Sequence, residues 1–160
     1  MPDPAGSHDV YVREATIEDA LYLSTRLRKA DLEEIEASSG QPPEEALLQG
    51  FHSSKHCWVA VYNHKPFLIF GACPVVEDVG CVWALGSDDI VRARVGFLRQ
   101  SAYWVKALHE DFPLLFNYID ARNTLHIRWI RWLGFKLINL HPKYGAAGIP
   151  FYEFVRIKDN

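Results

Sequence analysis

The segment N-T-L-H-I-R-W-I-R-W-L-G-F, residues 123–135, lies just after Asp120. The sixteen residues 120–135 thus hold a carboxylate, an imidazole, three guanidinium groups and two indoles. His126 is a candidate acid–base group, because an imidazole titrates near neutral pH. Asp120 is a second candidate base, or a capping group before a helix. Arg128 and Arg131 stand one helical turn apart, and beside Trp129 and Trp132 they would form a basic, stacking edge of the kind that binds nucleic acid. The net charge of −3 speaks against that use, which normally rests on a basic excess. Cys57, Cys73 and Cys81 form an odd set with no C-x-x-C pair, and with His56 they match no zinc spacing, so no metal site is expected. Each lies in an apolar run, which fits a reduced, cytoplasmic protein.

Helix physics alone accounts for much of the 123–135 segment. Asn123 is a good N-cap, since its side-chain oxygen can accept from first-turn amides. Gly134 suits the left-handed position past a helix end. Leu125, Trp129 and Trp132, at spacings of four and three, make a packing stripe.

The elements that would position these residues follow from periodicity. A first strand at 10–15 leads to a capping box at Thr16 and Asp19 and a helix running to about Ala37. A loop at 38–43 leads to a second helix over 43–53, opened by Pro43. Strands at 56–63, 67–76 and 81–86 form a meander through turns at 63–66 and 77–80. A long helix opens at Ser87, Asp88 and Asp89 and runs to about Glu110. The strand 114–120, the helix of the opening segment and strands 135–140 and 151–157 complete the chain. The last two strands are joined by a Gly- and Pro-rich loop at 141–150. The 160 residues, 49% apolar and 23% charged, suit a single domain over 10–160 behind a flexible tail at 1–9. The tail lacks the apolar core of a signal peptide, and no stretch is long and apolar enough to span a membrane. The order β-α-α-β-β-β-α-β-α-β-β predicts an α/β (α+β) fold, with a mixed, mostly antiparallel sheet of six to seven strands and helices on both faces.

That order resembles the GNAT superfamily of N-acyltransferases. The family's pattern L-x-V-x-x-x-N-x-x-A-x-x-L-Y-x-x-x-G-F runs without a gap over residues 117–135, with Ile119, Asn123, Gly134 and Phe135 at its V, N, G and F. The resemblance implies transfer of an acetyl group from acetyl-CoA to an amine acceptor that the sequence does not specify. More narrowly, D-A-R-N-x-x-H-I-R-W-I-R-W-L-G-F is similar to small GNAT-like proteins of tailed bacteriophages, some of them labelled internal virion proteins. That likeness implies host cytoplasm or virion as the location. It also implies an alternative role: a catalytically inactive GNAT-fold protein that is structural or binds a protein partner, or a second copy of itself.

The resemblance also implies where the chemistry would sit. Backbone groups of Trp83, Ala84 and Leu85 would hold the pantetheine arm, and Asn123 keeps its motif position beside them. The family's Q/R-x-x-G-x-G/A phosphate loop has its nearest frame at Arg92, with Val95 and Phe97 where small residues belong. Asp88 and Asp89 already complement the positive helix end and would repel a phosphate. Arg92 and Arg94, with Arg99, are the side chains that would replace the loop, or else a solvated helix face. The family's tyrosine acid, seven residues past the asparagine, is here Ile130. Tyr118 and Tyr144 are the replacement acids, and Glu77, Asp120 and His126 are the candidate bases.

Overall fold

The computed structural model describes residues 10–160, apart from the side chain of Arg94. The expected tail at 1–9 lies outside the described residues. Seven strands form one sheet: β1 (Val10–Glu14), β2 (His56–Tyr62), β3 (Lys65–Val76), β4 (Val79–Gly86), β5 (Leu114–Asp120), β6 (Lys136–Tyr144) and β7 (Ile149–Ile157). Their order is β1-β2-β3-β4-β5-β7-β6, and only β4 and β5 run parallel. Among the described residues the helices are α1 (Ile17–Ser24), α2 (Lys29–Ser38), α3 (Pro43–Ser53), α4 (Ile90–Asp111) and α5 (Thr124–Trp132).

The turns follow the local chemistry. Asn63 and His64 both take positive φ, 51° and 64°, as a two-residue hairpin demands. Thr16 and Asp19 close the capping box of α1. Leu23, Leu27, Leu47, Val59 and Ile69 build the core between α1, α3 and one face of the sheet. On the other face Phe67, Phe70, Phe97, Leu108, Phe135 and Phe154 pack α4 and α5.

Three local expectations change. The helix expected over 16–37 is two helices. Between them Leu27 bridges to Ser87, and Arg28 N–H donates to the Gly86 carbonyl at 2.9 Å. Pairing with the end of β4 overrides helix propensity there. The loop expected at 141–150 is mostly strand, with the turn confined to 145–148. That turn is pinned to the end of α2, since Ala146 N–H and Ala147 N–H donate to the Ser38 and Ala37 carbonyls, each at 3.0 Å. Third, the Asn123 side chain makes no cap bond to α5. It turns inward, as described below. Gly134 takes φ +92°, the left-handed conformation its position predicts. Trp129 packs into the α4 face, whereas Trp132 is 59% exposed and drops out of the packing stripe.

Candidate functional site

β4 and β5 pair for only three residues, Val79–Cys81 against Leu114–Phe116, and then separate. The register of β4 on β3 decides which peptide groups face the gap. Ser87 N–H donates to the Phe67 carbonyl, so the odd residues of β4 bond to β3 and the even ones turn their backbones toward β5. Of those, the Val82 carbonyl accepts from Asn117 Nδ2 at 2.6 Å. The Gly86 amide donates to Asp31 Oδ2 at 2.9 Å, and its carbonyl accepts from Arg28 N–H. Ala84 lies between them with the same orientation, and among the described residues its peptide has no partner across the gap. Asn117 wedges the split: its carboxamide bonds Val82 on one strand while its oxygen accepts from Tyr118 N–H at 2.7 Å on its own.

A buried polar cluster closes the far end of the gap. Arg28 Nη1 donates to Asp31 Oδ1 at 3.1 Å and to His126 Nε2 at 2.9 Å. Arginine offers only donors, so the imidazole accepts at Nε2 and carries its proton on Nδ1. Burial and the charge of Arg28 hold His126 below its ordinary value, against the pull of Asp31. Asn123 Nδ2 donates to Glu34 Oε1 at 3.3 Å, and its oxygen accepts from Arg28 at 3.4 Å. Asp120 N–H also donates to Glu34 Oε1, at 3.1 Å. Burial of the Glu34 carboxyl, then the charges of Asp31 and Asp120, push it up to about 7, although both hydrogen bonds pull the other way. Its second oxygen, Oε2, makes no hydrogen bond among the described residues.

Glu34 lines a cleft of about 720 Å³ that passes through the split sheet. That size suits a small-molecule site. On the α2–α3 side its walls include Trp83, Tyr118 and Tyr144; on the α4–α5 side they include Phe97, Trp129 and Ile130. Tyr118 and Tyr144 stack at 4.8 Å, and Tyr144 leans on Phe151 at 4.6 Å. Burial raises the Tyr144 phenol, and Tyr118, Cys81 and Glu34 add to the effect. Trp83 is set by a 2.7 Å bond from Nε1 to Ser54 Oγ and by contact with Gly50, where any Cβ would stand 2.8 Å from the indole. Cys73 and Cys81 also line the cleft; burial pushes the Cys81 thiol up to about 11, so it is no nucleophile at neutral pH.

Solved structures share this architecture. A ribosomal-protein-alanine N-acetyltransferase from Brucella melitensis superposes with a TM-score of 0.72 at 14% identity, over 92% of this chain and 99% of that one. A GNAT superfamily phosphinothricin acetyltransferase from Sinorhizobium meliloti, solved in complex with AcCoA, gives 0.72 at 17% identity, over 93% and 88%. The chain has the GNAT fold. A GNAT-family acetyltransferase from Streptococcus pneumoniae gives 0.65 at 17% identity, over 94% and 100%. No family model matches the sequence, and no curated protein matches it.

Within this GNAT sheet the expected site residues divide into three groups. Trp83, Ala84, Leu85, Tyr118, Tyr144 and His126 all line the cleft, and Ile130 lines it too. Asp120 and Asn123 lie behind it with their polar atoms engaged. Both carboxylate oxygens of Asp120 accept from Arg122, at 2.7 and 3.0 Å. The third group is remote. Arg92 is exposed on α4 and pairs with Asp89 at 3.8 Å. The Arg94 side chain lies outside the described residues. Glu77 is exposed in the β3–β4 turn and does not line the cleft. The start of α4 offers a phosphate little. The amides of Ile90, Val91 and Arg92 donate to the carbonyls of Ser87, Asp88 and Asp89, and Asp89 N–H donates to Ser87 Oγ at 3.3 Å.

Sequence reasoning missed Arg28, Asp31, Glu34 and Asn117. Two of them left a signal. Asp31 stands four residues before buried Ile35, an acid on the apolar stripe of α2. Asn117 sits between Leu115 and Ile119 on the inward face of β5, a polar residue inside an apolar alternation.

Proposed function

We propose that the cleft takes the acyl and pantetheine end of an acyl-CoA, acetyl-CoA in the simplest case, and that the chain passes the acyl group to an amine. The observation that carries this reading is the Ala84 peptide, unpaired and turned into a cleft of ligand size between two diverging strands. Acyl-CoA would supply a thioester carbon open to attack. The Ala84 N–H and C=O would hold the amide-bearing arm as a neighbouring strand would. The amine nitrogen bonds to the acyl carbon and the carbon–sulfur bond breaks. Glu34 Oε2 takes the proton the amine loses, and a phenol of Tyr118 or Tyr144 gives one to the departing sulfur. Glu34 suits the base role because its carboxyl releases its proton near 7 and it faces the cleft. His126 fits a positioning role, since Arg28 occupies its acceptor nitrogen.

The residues fit the arm and not the phosphates. Titration with acetyl-CoA and with acetyl-pantetheine tests both statements. The two thioesters should bind within about threefold of each other, because the start of α4 gives the phosphates no cradle. If neither binds, the reading falls. If Arg92 and Arg94 replace the missing loop, Arg92→Ala and Arg94→Ala should weaken only acetyl-CoA.

A second reading has its own support. The acidic start of α4, with its first-turn amides already bonded, and Ile130 in place of a proton donor favour a catalytically inactive GNAT-fold protein. Its role would then be structural or partner-binding, in a phage particle or an infected cell, as the narrower sequence likeness suggests. A folded protein that binds neither thioester is the outcome this reading requires.

A further inference from the structure

Glu34 is the one residue lining the cleft that can carry a formal charge at neutral pH, because His126 is held neutral. The hydrogen-bonded cluster it belongs to contains three carboxylates, Asp31, Glu34 and Asp120, and two guanidinium groups, Arg28 and Arg122, the latter also paired with Glu33 at 3.9 Å. Arg28 serves Asp31 and Arg122 serves Asp120, so ionised Glu34 has no cation of its own. The free oxygen of Glu34 belongs to a cleft whose walls on this side are Trp83, Tyr118 and Tyr144, with the neutral Gln41 in the α2–α3 loop and Gln49 on α3. A carboxylate beside aromatic walls attracts an organic cation twice, by charge and by the electron-rich ring faces.

We infer that the α2–α3 side of the cleft is a subsite for a primary monoamine in its ammonium form, carried on an apolar body. The lining explains each part of that description. One anionic group matches one cationic head. A second ammonium, or the carboxylate of an amino acid, would be desolvated without a partner. The aromatic walls take up an apolar body. The inference rests on the acyl-transfer reading only for the fate of the amine; binding itself requires no thioester.

The test is titration of the full chain with phenethylamine, followed by tryptophan fluorescence, with phenethyl alcohol, phenylacetate and putrescine as comparisons. Titrations are run with and without desulfo-CoA. Phenethylamine should saturate and the other three should bind at least about tenfold more weakly, the scale of losing one charge-assisted contact. Glu34→Gln should reduce phenethylamine binding by a similar factor. Asp31 and Asp120 act on this carboxyl from α2 and β5, each paired with its own guanidinium, Arg28 and Arg122, and Tyr144 stands near it on β6. The Glu34 carboxyl, its free oxygen in the cleft and its proton held up to about 7, changes charge in this range. Wild-type affinity should therefore rise between pH 6 and 8 and the Gln variant should stay flat, a readout that holds even if the variant is less stable. Equal binding of the alcohol, an unchanged Glu34→Gln variant, a flat wild-type pH profile, or no amine binding in either state overturns the inference. If amines bind and thioesters do not, the subsite stands and the transfer reading falls; the reverse result removes only the subsite.

Discussion

At the α2–α3 side of the cleft a carboxylate oxygen, two phenols and a peptide group face open space. At the start of α4 the first-turn amides are already bonded to their own turn, and the acidic Asp88 and Asp89 stand just before it. The two regions adjoin the C-terminal half of the same strand, β4, with the cleft along Val82–Leu85 and α4 beginning just past Gly86, and belong to the same fold. Their difference teaches that the fold fixes where a cleft opens, while a few side chains decide what each end of it can still hold. On the proposed reading, the first region is the reacting end of a transfer site and the second offers a nucleotide no anchor.

The largest expected effect strikes the first region at its foundation. Asp31→Ala strips Arg28 of its partner and Gly86 N–H of its acceptor inside the protein. It should cost about 3–5 kcal/mol in urea unfolding, the usual penalty of a broken buried pair. Glu34→Gln works in the opposite direction. The folded chain holds the Glu34 proton up to about 7, whereas the free side chain releases it near 4.5. Ionising it in the fold is therefore penalised, and the penalty grows as pH rises through that window and levels off above it. The variant should gain stability at pH 8, on the order of 3 kcal/mol at most, and nothing at pH 4. A pH-independent change would remove Glu34 from its assigned environment. Asn117→Ala leaves the Val82 carbonyl and Tyr118 N–H without partners at the neck of the cleft. It should lower stability by about 1–3 kcal/mol.

The other region should yield smaller numbers. Neutralising Asp88 and Asp89 together, each to Asn, should raise acetyl-CoA affinity a few-fold at low salt and lose that gain at high salt, since exposed charges are screened. Acetyl-pantetheine binding should not change. Arg92→Ala should leave stability within about 0.5 kcal/mol, as an exposed pair at 3.8 Å adds little. A large loss in either variant would erase the contrast between the two ends.

Much of the fold was legible because local rules and tertiary packing agree. The Thr16–Asp19 box, the turn at Asn63 and His64, Pro43 and Gly134 each stand where sequence places them. The misreadings fall where a distant partner wins. Residues 25–28 abandon the helix to pair with the end of β4, and Asn123 leaves its cap for Glu34 and Arg28, residues about ninety positions away. Sequence spacing along one helix does not encode such a partner. The same cause hid Glu34. On α2 it reads as one of several exposed-face acids, and only the docking of that helix over the split sheet turns it inward. Tyr118 was expected on a strand and Trp83–Leu85 through the family resemblance, and all line the cleft, whereas Tyr144, expected in a loop, reaches it at the end of β6.

The wedge of Asn117 has a mechanical meaning. The sheet is two plates, β1–β4 and β5–β7–β6, and their backbones are sewn together along three residue pairs. The next stitch is a side-chain amide, which one substitution can cut. Amide hydrogen exchange should therefore be uneven along this seam, slow at Gly86 and Asp120, where carboxylates hold the peptide, and fast at Ala84. Slowing at Ala84 alone when a thioester is added would place the guest between the plates without any assay of turnover.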